Sequence, residues 1–243
     1  MIDIHCHILP MLDDGASDWS EALAMARLAV SSGVTAMVAT PHFQGDTQGL
    51  EIMPKLLSRY EKLVQLLARQ QIPLKLFPGA EILCTPETVS MAKQHMLPTL
   101  GNSNYLLTEF FFDESEEFIT STLLELANCG YRPIVAHPER YEAVQHSPEL
   151  IEQLFFQDTV IQLDKGSLMG NFGPEVQESA LWILQNGLAH IIASDAHGMH
   201  HRTTDMIDLR QFLLENCPPR YVEVLLVNNP ARVLTNKEMF PTA

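Results

Sequence analysis

The sequence predicts a single α/β domain over residues 1–243, built as a barrel of seven parallel strands. Three observations predict this fold. Seven short apolar runs alternate with amphipathic segments, the order typical of parallel α/β proteins. Strand runs with so few polar residues are typical of sheets buried on both faces. No glycine-rich nucleotide loop follows the first run, which favours a barrel over an open sheet.

Each element has its own local signal. Ser17-Asp18 provides an N-cap for the first helix, and Gly33 ends it. The second helix is predicted from about residue 51, which places Pro54 acceptably in its first turn. The predicted strands are 1–5, 34–40, 74–82, 105–110, 132–137, 159–163 and 188–194. The later helices are predicted at 51–71, 85–94, 115–129, 148–157, 174–186, 203–215 and 220–227.

Composition limits the possible functions. Hydrophobic residues make up 46% of the chain, enough for a full core. The 15 Lys and Arg stand against 30 Asp and Glu, a formal charge of −15, so nucleic acid is not an expected partner. The four cysteines form no C-x-x-C pair and no disulfide framework. We find no signal peptide and no run long enough for membrane insertion, and therefore expect a cytoplasmic protein.

The first predicted strand ends in His5-Cys6-His7 and is followed by Asp13-Asp14-Gly15. Alternate side chains of a strand share a face, so His5 and His7 are expected side by side, with Cys6 on the other face. Two such imidazoles form half of a metal site. The alternative is a pair of solvated histidines near a terminus. Asp13 is interpreted as capping the turn, not as a ligand.

Metal-binding side chains recur where the predicted strands end, which is where parallel barrels carry their chemistry. Imidazole and carboxylate without thiolate suit Mn, Fe, Zn or Co in an open, catalytic site. Nine candidates are too many for one ion, so two or three ions with a bridging carboxylate are expected. The candidates are His5, His7, Asp14, His42, Glu81, Glu109, His137, Asp195 and His197.

These residues lie in stretches that resemble the PHP (polymerase and histidinol phosphatase) superfamily. More closely, the chain resembles the manganese-dependent bacterial protein-tyrosine phosphatases of the CpsB/CapC capsule-biosynthesis type. The stretches occur in family order over nearly the whole chain. They are IDIHCHILPMLDDG, TPHF, GAEI, LLTEF, VAHPERY, IASDAHG and NPARVL.

The resemblance implies a distorted seven-stranded (β/α)7 PHP barrel with a Mn²⁺ site at the C-terminal ends of the strands. It also implies catalytic roles for Arg140 and Arg202, which suit phosphate. His42, His197 or a metal-bound water could protonate the leaving group. Residues 43–50 are expected to form a short, weakly charged loop. The implied ion sites are His5, His7, Glu81 and Asp195; Glu81, Glu109 and His137; and Asp14, His42 and His197.

The expected activity is hydrolysis of phosphotyrosine on a protein by a metal-activated hydroxide. The implied partner is the phosphorylated tyrosine tail of a membrane-associated bacterial tyrosine kinase that controls capsule or exopolysaccharide synthesis. One alternative is a small-molecule PHP phosphatase, such as histidinol-phosphatase. Another is a non-catalytic metal-binding regulatory module. A PHP nuclease is disfavoured by the negative charge. The oligomeric state stays open.

Other phosphatase and hydrolase mechanisms are excluded by spacing. A cysteine-based phosphatase needs Arg six positions after the nucleophilic Cys, and no cysteine here has one. The residues at that offset are Leu12, Ser90, Val135 and Glu223. No G-x-S-x-G elbow is present. Of the remaining histidines, His190 lies inside a predicted strand and is interpreted as structural.

Overall fold

The computed structural model describes residues 1–240 and shows an α/β protein. Its strand pairs are all parallel, as predicted. Within residues 1–240, nine strands form two sheets with the orders β1–β2–β4 and β3–β5–β6–β7–β8–β9. The strands are β1 (Ile2–Cys6), β2 (Ala36–Ala39), β3 (His42–Gln44), β4 (Lys75–Pro78), β5 (Glu81–Leu83), β6 (Tyr105–Glu109), β7 (Arg132–Ala136), β8 (Val160–Asp164) and β9 (Ile191–Ala193).

Helices connect most of the strands, whereas β2 leads directly to β3 and β4 directly to β5. Within residues 1–240 none combines the length and the hydrophobicity needed to cross a bilayer. The helices are α1 (Trp19–Ser31), α2 (Thr47–Arg69), α3 (Thr88–Lys93), α4 (Glu116–Asn128), α5 (Glu142–His146), α6 (Glu149–Phe156), α7 (Lys165–Leu168), α8 (Pro174–Gln185), α9 (Ile207–Asn216), α10 (Pro219–Glu223) and α11 (Asn229–Leu234), with a π-helical turn at Val224–Asn228.

The predicted count of seven strands is not confirmed, because an additional short strand follows the second predicted strand and the third predicted strand is divided in two. The predicted strand 34–40 is followed by a separate strand β3, and the predicted strand 74–82 becomes β4 and β5. The two breaks lie side by side, since Ala39 pairs with Pro78 and His42 pairs with Glu81. Pro41 and Pro78 have no N–H to donate to a ladder, which interrupts both strands at one level.

The second helix also begins earlier than predicted. The Asp46 side chain accepts hydrogen bonds from the backbone N–H groups of Gln48 and Gly49, so α2 starts at Thr47. Pro54 is therefore inside the helix and not in its first turn. The predicted loop 43–50 is accordingly replaced by most of β3, a short turn and the start of α2.

The two sheets meet where the first strand approaches the last. Cys6 forms a parallel bridge with Ala196, and the backbone N–H of His7 donates to the Ala196 carbonyl at 2.8 Å. The N–H of Asp195 likewise donates to the His5 carbonyl at 3.0 Å. These bonds bring the histidines of the N-terminal strand beside the residues that follow β9, and they assemble the candidate site from both ends of the chain.

Candidate metal centre

Glu81, the buried first residue of β5, lies at the centre of the site. Its Oε1 lies 3.1 Å from His5 Nε2 and 2.8 Å from His137 Nε2. Its Oε2 lies 3.2 Å from His7 Nε2 and 3.1 Å from His42 Nδ1. Burial alone would raise the pKa of Glu81, but the imidazoles lower it well below its usual range. One carboxylate facing four imidazoles is suited to bridge two ions.

His5 and His7 share a face, as predicted, and their Nε2 atoms lie 3.3 Å apart. Each ring is held from behind. His5 Nδ1 donates to Gln162 Oε1 at 2.9 Å, and His7 Nδ1 donates to Asp13 Oδ2 at 2.7 Å. Because these oxygens only accept, each Nδ1 carries the hydrogen, and in the neutral ring each Nε2 presents a lone pair to the site.

Asp13 does cap its turn, since its Oδ1 accepts from the N–H of Gly15 at 3.0 Å. Sequence reasoning missed its second role. Oδ2 accepts both from His7 Nδ1 and, at 2.9 Å, from the backbone N–H of His42. Gly15 is required here, because a Cβ on it would lie 2.1 Å from the His7 carbonyl oxygen. The loop therefore folds tightly onto His7 and fixes its orientation.

Asp14, His42 and His197 form the open rim of the site. Asp14 Oδ1 lies 3.5 Å from His42 Nε2 and 3.3 Å from His197 Nε2. The side chains of Asp14 and His42 are 66% and 39% exposed, so this part of the site can be reached from solvent. Burial and the charge of His7 lower the pKa of His197 to about 4.

Glu109, at the end of β6, and His137, directly after β7, form the opposite wall. Glu109 Oε1 lies 3.6 Å from His137 Nε2, and Oε2 lies 3.5 Å from His42 Nδ1. Burial and the neighbouring Glu81 carboxylate raise the pKa of Glu109 to about 7. Two carboxylates placed this closely repel each other unless positive charge lies between them.

Asp195 joins the imidazoles to the predicted arginines. Its Oδ1 lies 3.3 Å from His5 Nε2 and 3.6 Å from His197 Nδ1. This oxygen is buried and has no hydrogen-bond partner within residues 1–240. Its Oδ2 accepts from Arg140 Nη1 at 3.3 Å and from Arg202 Nη2. The structure thus places both predicted arginines beside the predicted ligands.

Two of these residues have left-handed backbone conformations, with φ of 35° at His137 and 47° at Asp195. Both follow the last residue of a strand closely, where the chain must turn out of the sheet. Such conformations are uncommon outside glycine and cluster at functional sites. The turns aim both side chains into the site.

Gln162, on β8, is a site residue that sequence reasoning missed, and Asp164, which ends the same strand, lies outside the stretches that carry the family resemblance. Gln162 holds His5, and its Nε2 donates to Asp164 Oδ1 at 2.9 Å. Asp164 Oδ2 lies 3.5 Å from Arg140 Nη1. The signal was two polar residues, two positions apart, in the otherwise apolar run VIQLD. Their spacing places them on one face of a buried strand.

The donor chemistry fits divalent cations. Four groups of His, Asp and Glu have ligand atoms within 4.8 Å of one another, and together they include all nine predicted ligands plus Asp164. Burial opposes protonation of His5, yet Glu81 and Asp195 raise the pKa of His5 well above its usual range. These carboxylates therefore favour a positive charge at the position of the His5 ring. The groups are His7, Asp14, His42 and His197; His5, His7 and Glu81; His42, Glu81 and Glu109; and His137, Asp164 and Asp195.

Comparison with known proteins agrees with the family resemblance of the sequence. The model of the family "Capsular polysaccharide synthesis, CpsB/CapC" matches residues 1–235. Tyrosine-protein phosphatase YwqE of Bacillus subtilis is 33% identical over 240 residues, covering 99% of this chain and 94% of YwqE. Putative tyrosine-protein phosphatase CapC of Staphylococcus aureus is 32% identical over 246 residues, covering 98% and 93%.

The fold agrees with this result. A solved structure, described as YwqE from Bacillus subtilis and CpsB from Streptococcus pneumoniae, unique metal-dependent tyrosine phosphatases, superposes with a TM-score of 0.88. That comparison has 33% sequence identity and covers 99% of this chain and 96% of the other. The likeness in fold therefore extends over nearly the whole chain.

Proposed function

The chain belongs to the CpsB/CapC family, and we propose on that basis that it is a metal-dependent phosphatase acting on phosphotyrosine in proteins. The observation that carries the proposal is the convergence of His, Asp and Glu side chains on Glu81, with two arginines at its edge. Carboxylates and imidazoles provide sites for divalent ions, and guanidinium groups bind phosphate oxygens.

Two or three Mn²⁺ ions occupy the site in this proposal; Fe, Co and Zn suit the same donors. Bound ions would supply the Lewis acidity that makes water nucleophilic and offsets charge on the phosphoryl group. Gln162 and Asp13 keep the donor atoms of His5 and His7 directed inward. The proposed ligand sets are His5, His7, Glu81 and Asp195; Glu81, Glu109 and His137; and Asp14, His42 and His197.

Arg140 and Arg202 bind the phosphoryl oxygens in this scheme. Both guanidinium groups contact Asp195 Oδ2, so they present positive charge at one edge of the ligand cluster. Such preorganised charge stabilises a phosphoryl group more in the transition state than in the substrate. His42 and His197, which lie at the accessible rim, are candidates to give a proton to the tyrosyl oxygen as it leaves.

We further propose that the two sheets together form a distorted seven-stranded barrel within one domain, residues 1–243. In that interpretation β2 with β3, and β4 with β5, are single barrel strands interrupted at Pro41 and at the segment after Pro78. The bridge between Cys6 and Ala196 supports closure between the first and last strands.

The proposed substrate is the phosphorylated tyrosine tail of a membrane-associated bacterial tyrosine kinase that controls capsule or exopolysaccharide synthesis. The family description supports this context. The open rim formed by Asp14 and His42 supports a flexible peptide substrate, because an extended tail can enter without a lid moving. The proposed location is the cytoplasm.

The test uses metal-stripped protein with and without added Mn²⁺. Its substrates are a phosphotyrosine peptide, the same peptide with phosphoserine, and histidinol phosphate. Mn²⁺-restored hydrolysis of the phosphotyrosine peptide is expected. His137→Ala should abolish turnover and keep the circular dichroism spectrum, whereas His146→Ala, an exposed histidine on α5, should behave as wild type. Preference for histidinol phosphate would move the chain to the small-molecule phosphatases. No turnover of any substrate with metal bound would indicate a regulatory module.

A further inference from the structure

An apolar cavity of about 380 Å³ opens directly beside the candidate ligands. His42 and Glu109 lie on its lining, so a group held in the cavity adjoins the metal centre. Phe43 and Leu83, from β3 and β5, contribute apolar surface, and Phe111 and Phe112 from the segment after β6 complete it. An apolar pocket with a few polar groups on its lining is the usual form of a small-ligand site.

Phe111 and Phe112 are unusual among the aromatic residues because they are 54% and 42% exposed while lining this cavity. They follow Glu109 by two and three positions, so the backbone that places a proposed ligand also places these rings. Within residues 1–240, no aromatic ring stacks on Phe111. Exposed aromatic surface of this kind marks a binding site when it lines a pocket.

Phe112 also fixes one of the arginines. The Arg140 guanidinium lies 4.5 Å from the centre of the Phe112 ring and 4.5 Å from that of Phe172. It is therefore held between two aromatic faces while it contacts Asp195. Phe111 and Phe112 form the aromatic wall of the cavity, and the contact between Phe112 and Arg140 places this apolar surface next to a proposed phosphate-binding side chain.

We propose that this cavity binds the phenyl ring of the tyrosyl group and that Phe111 and Phe112 determine the preference for phosphotyrosine over phosphoserine. This rests on the proposed function. The phosphoryl group lies at the end of the cavity formed by His42 and Glu109, with the ring along the aromatic wall. Aromatic pairs attract beyond their buried area. A seryl group has one side-chain carbon and leaves the wall without a partner, so it loses this binding.

The test is Phe111→Ala, compared with Phe156→Ala. Phe156 is 79% exposed and is the last residue of α6. It precedes the N-terminal end of β8, whereas the candidate site lies at the C-terminal ends of the strands. With the phosphotyrosine peptide, Phe111→Ala should raise KM about fivefold to tenfold and leave kcat within about twofold, since ring stacking is worth about that much. Phe111→Tyr should restore KM, and Phe156→Ala should match wild type.

Inhibition by inorganic phosphate distinguishes a loss of ring binding from a loss of phosphate binding. Its inhibition constant should be unchanged in Phe111→Ala, because phosphate does not use the aromatic wall. An equal loss of affinity for phosphate would show that Phe111 acts on the phosphate site and would overturn the inference. Unchanged KM in Phe111→Ala, with active wild type, would overturn only this inference. A wild type that does not hydrolyse the peptide would overturn the proposed function as well.

Discussion

Asp13→Asn is expected to weaken metal binding although Asp13 is not a proposed ligand. The carboxylate accepts three hydrogen bonds: from His7 Nδ1 at 2.7 Å, from the His42 N–H at 2.9 Å and from the Gly15 N–H at 3.0 Å. Asparagine has one accepting oxygen. Whichever way its amide lies, its NH₂ group faces at least one of these donors.

The magnitude follows from those three bonds. A hydrogen bond to a charged group contributes about 1.5–3 kcal/mol, against about 0.5–1.5 kcal/mol for a neutral pair. The change at His7 therefore removes about 1 kcal/mol, and the donor facing the NH₂ group about 1 kcal/mol more. If both losses act on the orientation of His7, metal affinity falls about thirtyfold. This agrees with the range of about tenfold to a hundredfold for groups that orient metal-binding histidines.

The assay is calorimetric titration of the metal-free variant with Mn²⁺, beside circular dichroism. Asp18→Ala is the matched control, because the Asp18 side chain accepts from Ser20 N and Glu21 N at the start of α1. It should reduce stability by about 1 kcal/mol and leave the Mn²⁺ dissociation constant unchanged. A dissociation constant for Asp13→Asn within about twofold of wild type would refute the reasoning.

Three further predictions concern the support of the site and of the fold. Glu81→Gln should reduce the number of Mn²⁺ ions bound and lower kcat at least about a hundredfold, measured by metal analysis and steady-state kinetics; unchanged stoichiometry would contradict a bridging role. Lys165→Met removes the Nζ that donates to the Thr203 carbonyl in the loop after Arg202. The kcat should fall about tenfold, and chemical denaturation should show that the free energy of unfolding falls by about 3 kcal/mol. An unchanged kcat would mean that Arg202 needs no such anchor. Burial lowers the pKa of His190 to about 4 in the folded protein, from about 6.5 in the unfolded chain. As the pH falls, the unfolded state therefore takes up the proton first. The stability that the neutral His190 contributes is fully present above pH 6.5 and is lost as the pH falls towards 4. In urea titrations of metal-free protein, wild type should lose up to about 3 kcal/mol of unfolding free energy over this pH range that His190→Asn does not lose. The same dependence of unfolding free energy on pH in wild type and variant would count against this prediction.

The histidine pair shows how far local pattern reaches. Alternation along a strand determined that His5 and His7 face the same way, and the structure confirms it with Nε2 atoms 3.3 Å apart. The parallel α/β fold was likewise readable, because buried strands and amphipathic helices differ in the period of their apolar residues. Gln162 was readable in principle too, as a polar residue in an apolar strand.

Strand continuity was only partly readable. The run that contains Glu81 includes Pro78 and Gly79, which disfavour a continuous strand. The matching interruption at Pro41 in the neighbouring strand shows that the run divides into β4 and β5. Pairing joins residues distant in sequence, whereas local propensity acts over a few positions. The early start of α2 could have been predicted, because the N-cap residue Asp46 is visible in the sequence. The prediction began the helix too late because it placed Pro54 in the first turn.

The sequence by itself indicated which side chains are candidates to bind metal and phosphate, since their chemistry and their positions after apolar runs are local properties. Only the tertiary structure decided that Asp13 holds His7, that Arg140 lies between two aromatic rings, and that Asp195 connects the imidazoles to both arginines. Each of these depends on a side chain's direction and on distances across separate strands. Left-handed turns at His137 and Asp195 set two of those directions, and the packing of the whole sheet holds them.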